Sequence, residues 1–268
     1  VKNPQHLSPS QRVAAGLILA LALLAIVGPL MGADPRVQDL DRVREAPSAA
    51  HWLGTDHLGR DQFSRLTHAL RLSLLLALGT VAVAAASGTL LGVAAAWRGG
   101  WLDKACGLLA DAVMALPGLL LVLLVAAITP GAFAPLYAGI ALALWVEFFR
   151  VSRAMSRSVL AGAPVEAARL LGFGHRAILH RYLWPELAPV LGTLAAFGAA
   201  GAVLAMAALG FVGVGLQPPA AELGVMLIEL LPYWREAPWL MAPPVALLVS
   251  LTAACLLLAG RRDAEAAS

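Results

Sequence analysis

Five stretches of this chain carry no Asp, Glu, Lys or Arg: 13–33, 72–97, 112–146, 187–221 and 237–260. Such runs constrain folding more tightly than any motif, because a helix crosses a hydrocarbon core about 30 Å thick with roughly 20 consecutive apolar residues. Inside lipid every backbone N–H and C=O has to be satisfied within the chain, so runs of this length become helices. The stretch 112–146 is too long for one crossing, and Thr129-Pro130-Gly131 with Pro135 divides it. Six transmembrane helices result, near 12–32, 72–97, 106–128, 134–152, 188–216 and 239–260, an all-α membrane protein. Composition agrees: 60% of the 268 residues are apolar and 13% charged, a balance that excludes a water-soluble domain. The net charge of +3 comes from arginines at helix ends, not from a nucleic-acid-binding surface.

The first stretch reads as a span, not a removable signal, since its Ala/Leu/Val run exceeds a usual signal core and Gly28-Pro29 is a poor cleavage site. Placing the N-terminus in the cytoplasm puts twelve of the 19 basic residues on that side, among them Lys2, Arg150, Arg153, Arg157, Arg261 and Arg262. Both termini are then cytoplasmic. The chain divides into an N-terminal span with an outer loop (1–71), a membrane core (72–263) with an inner loop at 153–187, and a polar tail (264–268) expected to fray. Cys106 and Cys255 lie in or beside spans without metal-type spacing and read as small packing residues.

The inner loop runs Pro164-Val165-Glu166-Ala167-Ala168-Arg169-Leu170-Leu171-Gly172-Phe173-Gly174 and continues from His175 to Pro185. Pro164 suits the first turn of a helix, and Glu166 just after it favours the positive end of the helix dipole. Gly172 and Gly174 are expected to stop that helix by taking left-handed backbone. A second helix starts near His175 and is expected to end before Pro185, with Leu171, Ile178, Leu179 and Tyr182 as its apolar contacts. The product is a short helical lever between spans four and five.

At this point the chain resembles a family. Glu166-Ala167-Ala168, Gly172 and Pro185, with Tyr182 and Trp184 before the proline, are similar to the "EAA" signature of permeases in bacterial binding-protein-dependent ABC importers. The resemblance implies a type I importer permease fold whose cytoplasmic coupling helices, between spans four and five, sit in a groove of a separate ATPase. Tyr182 and Trp184 replace the usual Ile and Leu.

The outer loop carries His51-Trp52-Leu53-Gly54-Thr55-Asp56-His57-Leu58-Gly59-Arg60-Asp61, in which Gly54 and Gly59 bracket a tight turn and Asp61 caps the following helix. Phe63, Leu66, Thr67 and Leu70 then recur at helical spacing into span two. Gly54, Thr55, Asp56, Gly59, Arg60 and Asp61 are similar to a motif of the dipeptide/oligopeptide/nickel permeases, specifically the second permease subunit. Gly99–Asp103, Asp111, Pro117, Trp145, Arg150 and Phe211–Pro219 extend the likeness over about residues 50–245. The ending Gly260-Arg261-Arg262-Asp263 departs from the family form. The run His51–Asp61 and Ala221–Met226 look closest to nickel permeases, which implies nickel, free or chelated, ahead of di- or oligopeptides.

Other polar residues invite competing readings. His51, His57 and His68 offer imidazoles, but not at the i,i+4 spacing of a helical ligand pair, so they read as turn and interface residues and no metal site is assigned. Asp111 and Glu147 in or beside spans three and four are expected to form interface ion pairs near Lys104 and Arg150; a gate or proton relay is the rival. Gly198, Gly201, Ala205, Gly210 and Gly213 let a backbone approach span five, either a pore wall or a second permease, or a helix of this chain.

No Gly-Lys dipeptide, and hence no P-loop, is present. No catalytic residues and no bound cofactor are expected; ATP and Mg belong to the partner ATPase. The implied assembly contains a second homologous permease, one or two ATPase subunits, an extracytoplasmic binding protein and bacterial inner-membrane lipid, with no nucleic acid. An ion-coupled secondary transporter is the alternative; such carriers usually show repeats or broken helices with buried mid-membrane charge.

Overall fold

Asp61 closes the outer loop and starts the longest helix of the protein. Its carboxylate accepts a hydrogen bond from Ser64 N at 2.7 Å, so the helix begins at Gln62. In the computed structural model, which describes residues 9–128 and 133–259, the helices are α1 (Pro9–Met31), α2 (Gln62–Arg98), α3 (Gly100–Met114), α4 (Gly118–Ala126), α5 (Phe133–Leu160), α6 (Ala163–Leu170), α7 (His175–Ile178), α8 (Trp184–Phe211), α9 (Leu223–Leu230) and α10 (Pro238–Ala259). The readings that rest on Lys2, Thr129-Pro130-Gly131, the Gly260–Asp263 ending and the tail 264–268 lie outside the described residues. Among the described residues no β-strand forms, and one isolated bridge joins Thr55 to Asp61.

Five helices are long and apolar enough to cross a membrane, and the bent pair α3–α4 brings the count to six. The boundaries differ from expectation in ways that have causes. Span two starts at 62 instead of 72, because Arg65 and Arg71 interrupt the apolar run without interrupting the helix. Its 37 residues measure about 55 Å, well beyond a bilayer core, so one end stands outside it. Span three is not a straight helix over 106–128. It bends by 87° between α3 and α4, where Pro117 disfavours helical backbone in the residue before it. Span four continues past 152 to Leu160, carrying its arginines out of the membrane on the same helix. Span five ends at Phe211, short of 216, and Gly213 turns the chain with φ +79°.

The most extensive helix pairing is that of α2 with α5. A Cβ added at Gly92 would come within 2.6 Å of Phe149 O, and one at Gly88 within 2.7 Å of Trp145 O. These two glycines, one turn apart, bring the backbones into direct contact, and Trp145 and Phe149 stack beside them at 5.3 Å. Gly28 of α1 and Gly32 just past its end pack closely on the side chains of Thr67 and Ser64 of α2. A second core of Leu66, Leu70, Met206, Leu209, Leu223, Met226 and Leu251 joins α2, α8, α9 and α10. The result is a bundle with one helical lever at one end and a polar clasp at the other.

Candidate functional site

The lever begins where α5 stops. After Ala161-Gly162 the chain turns into α6, with Pro164 in its first turn as expected. Val165 and Ala168 face the protein at 1% and 2% exposure, while Leu170 and Leu171 stand out at 85% and 77%. Glu166 and Ala167 are also exposed. Gly172, at φ +80°, ends the helix: its N–H donates to Arg169 O and Phe173 N donates to Ala168 O, both at 3.0 Å. This paired closure is the Schellman arrangement, and it needs a residue that accepts left-handed backbone. Gly174 differs from expectation. It lies in extended backbone (φ −73°, ψ 166°) and precedes α7 instead of helping to stop α6.

The second helix starts at His175 as its sequence indicates, but Pro185 does not terminate it. A π-helical turn at Leu179–Leu183 joins α7 to α8, and the helix continues from His175 to Phe211. Trp184 N bonds Leu179 O, five residues back. The widened turn accommodates a proline that supplies no N–H and would clash with the carbonyl of an ordinary turn. Pro185, placed in the first turn of α8, therefore sits inside one rigid body. The α7 part of the lever is continuous with span five, while α6 joins it through the turn at Leu171–Gly174. Ile178, Leu183 and Leu187 are its buried anchors, Tyr182 is half-buried, and Trp184 is exposed. Leu171 and Leu179, expected to pack inward, are exposed instead.

Two further ties hold this end. The rings of Trp97, at the end of α2, and His175 lie 5.2 Å apart. Asp103 of α3 pairs with Arg153 at 2.5 Å and with Arg157, so the segment of α5 that leads to the lever is fixed to α3. Two turns further along α3, Asp111 pairs with Arg150 at 2.5 Å, the ion pair expected of it. Glu147 is exposed on α5 and has no ion-pair partner among the described residues.

At the opposite end the outer motif closes on α9. Asp56 is fully buried, and its carboxylate accepts from Leu58 N at 2.8 Å and Arg60 N at 2.9 Å. Arg60 Nε reaches it at 2.6 Å, and Arg65 also donates to it. Both guanidinium groups continue to Glu229 of α9, Arg65 at 2.5 Å and Arg60 at 3.3 Å. Two cations and two carboxylates thus form a buried, neutral cluster. Burial pushes the Asp56 carboxyl up, but Arg65, the two amide donors and Arg60 together hold it below the usual carboxylate range. Around the cluster, Gly54 and Gly59 take positive φ, and a Cβ at Gly59 would overlap Asp39 O at 1.7 Å. Thr55 Oγ1 accepts from Glu45 N at 2.9 Å. Asp61 Oδ1 meets His51 Nδ1 at 2.9 Å, and Gln62 Nε2 donates to Leu240 O at 3.0 Å.

All six outer residues singled out in the sequence gather here with Arg65 of the same run, together with two residues the sequence did not flag, Glu229 and Tyr233. His57 stacks on Tyr233 at 5.5 Å, and Arg44 lies over the same ring at 5.1 Å. Burial lowers the pKa of His57, the Asp56 and Glu229 charges opposing. Glu222, also buried, caps α9 by accepting from Val225 N at 3.0 Å, and its burial raises its carboxyl pKa. Glu229 had one signal in the sequence, as the only charge in the otherwise apolar Leu223–Leu230. His68 bonds Ser64 O at 2.9 Å, away from the other two histidines. Among the described residues no three His, Cys, Asp or Glu side chains gather as metal ligands.

The small residues of span five separate. Gly210 packs on Glu222 and α9, and Gly198 on Leu144 and Val81, all within this chain. Nothing lies within 4 Å of a Cβ placed at Gly201 or Gly213, and Ala205 is half-buried against the core.

The described residues thus form a polytopic helical membrane protein with an exposed amphipathic helix beside one span. Residues 88–262 match the family model of the binding-protein-dependent transport system inner membrane component. A glutathione transport system permease of Pectobacterium atrosepticum is 34% identical over 94% of this chain and 85% of its own length. A nickel transport system permease of Escherichia coli is 33% identical (91% and 89%), and a di/tripeptide permease of Pseudomonas aeruginosa 35% identical (97% and 89%). The chain belongs to this family of peptide and nickel ABC-importer permeases and is a multi-pass inner-membrane protein.

Proposed function

We propose that the chain is the translocating permease subunit of an ATP-driven importer, coupled to a separate ATPase through residues 163–185. The observation that carries this is the two-faced α6. Val165 and Ala168 seat it on its own protein, while Leu170 and Leu171 are offered outward with Glu166 and Ala167. Exposed leucines at a helix end, beyond the membrane, call for a protein partner. Movement of the ATPase pair displaces α6, and the rigid α7–α8 helix carries the displacement directly into span five. To move the permease between two packings, the ATPase contacts must favour one of them by a few kcal/mol.

The cargo is nickel, free or chelated, or a short peptide delivered by an extracytoplasmic binding protein; the outer motif favours nickel. A second homologous permease completes the pore. Replacing Glu166 or Gly172 and measuring uptake together with ATPase co-purification tests the coupling. Loss of uptake with weakened ATPase retention is the expected result; full uptake and retention in both variants contradict it. Uptake of peptide but not nickel in a deletion strain complemented with this permease would remove the nickel assignment and leave the coupling standing.

A further inference from the structure

Beside the lever lies a groove of 980 Å³, open between the end of α2 and the α7–α8 helix. Its walls are of two kinds. Leu90, Val93 and Leu179 make an apolar floor, and Arg98, Arg176 and His180 stand at its rim with Trp97 and Trp184. Among the described residues no Asp or Glu lines it. Leu90 is 70% exposed, and Arg98 and Arg176 are also exposed.

We infer that this groove binds an anionic phospholipid of the inner leaflet, its headgroup phosphate held by Arg98 and Arg176 and an acyl chain laid along Leu90, Val93 and Leu179. The occupant follows from the sorting of the walls. An apolar floor running into a rim of cations and indole rings matches a molecule that is hydrocarbon at one end and anionic at the other. Guanidinium groups give a phosphate two parallel donors, which a point charge does not. The lipid would lie against both the last turn of α2 and the π turn that joins lever to span five. It would therefore favour the packing in which those two elements stand apart by the width of an acyl chain.

This inference rests on the cytoplasmic placement of the lever, but not on its ATPase contact or on the cargo. The test accordingly reads lipid and not transport. The complete transporter is purified into nanodiscs of phosphatidylcholine, alone or mixed with phosphatidylglycerol, and retained lipid is counted by native mass spectrometry after gentle release. Phosphatidylglycerol should be retained over phosphatidylcholine. The double variant Arg98→Gln/Arg176→Gln should lower that retention about thirty-fold, from two basic contacts at a membrane surface. Leu90→Trp, which fills the floor and leaves the charges in place, should lower it as well. Equal retention of the two lipids, unchanged retention in both variants, or cross-linking of Val93→Cys to the second permease in place of lipid would overturn the proposal.

Discussion

Arg65 shows how a single side chain ties the outer loop to the bundle. Fully buried on α2, it bridges Asp56 of the loop and Glu229 of α9. Removing one member of a buried ion cluster strands the charge of the other, at about 3–5 kcal/mol. Arg65→Met should therefore destabilise the protein by about that amount in thermal unfolding. Arg65→Met combined with Glu229→Met should cost less than the sum of the single changes, because the pair leaves no stranded charge. Two carboxyls of this region respond to pH with opposite signs. The folded pKa of Asp56 lies below its unperturbed 3.8, so its contribution is complete above that pH and is lost as pH falls through the folded value. The folded pKa of Glu222 lies above its unperturbed 4.5, so its buried charge costs stability at neutral pH and the cost disappears on acidification. Glu222→Gln keeps an acceptor for Val225 N and should melt higher than the native protein at neutral pH, with the gap closing as pH approaches 4.5.

At the scale of elements, the glycines show which readings the sequence supports. A glycine in an apolar run marks close approach, but only the fold says to what. Gly88 and Gly92 seat α2 on α5, whereas the attention of a sequence reader falls on the richer set in span five. Gly92→Leu should disrupt the bundle, costing about 1–3 kcal/mol or more in thermal unfolding. Gly201→Leu meets open space in this chain, so it should fold normally. If span five is also the face toward the second permease, the same variant should lose co-purification with it. The lever divides in the same way. Pro164, the Gly172 closure and the start at His175 are local chemistry and were legible, as was the Asp61 cap. The passage through Pro185 was not, because a proline ordinarily ends a helix and the π turn that admits it depends on the buried anchors Ile178, Leu183 and Leu187. The bend at Pro117 was missed although its signal is local: a proline inside a long apolar run disfavours helix in the residue before it, and the length of the run was read as one span. Arg60 was read as part of a motif, but its partner Glu229 is 169 residues away, a separation no local pattern spans.

Taken whole, the molecule has a rigid clasp at one end and an exposed lever at the other, with one continuous helix leading from the lever into the bundle. The six-span plan and the family followed from apolar runs and two short motifs. The continuity of α7 and α8 through Pro185 did not; in the proposed coupling, an unbroken helix transmits a push that a joint there would absorb. The most direct measurement is cross-linking from Leu171→Cys, a position with 77% exposure and no packing role in this chain. In membranes containing the complete transporter, this thiol should cross-link to the ATPase subunit, be shielded from a membrane-impermeant maleimide when the ATPase is present, and become reactive from the cytoplasmic side once the ATPase is stripped. Equal labelling with and without the ATPase, or labelling from outside intact cells, would contradict the lever's role as the docking site.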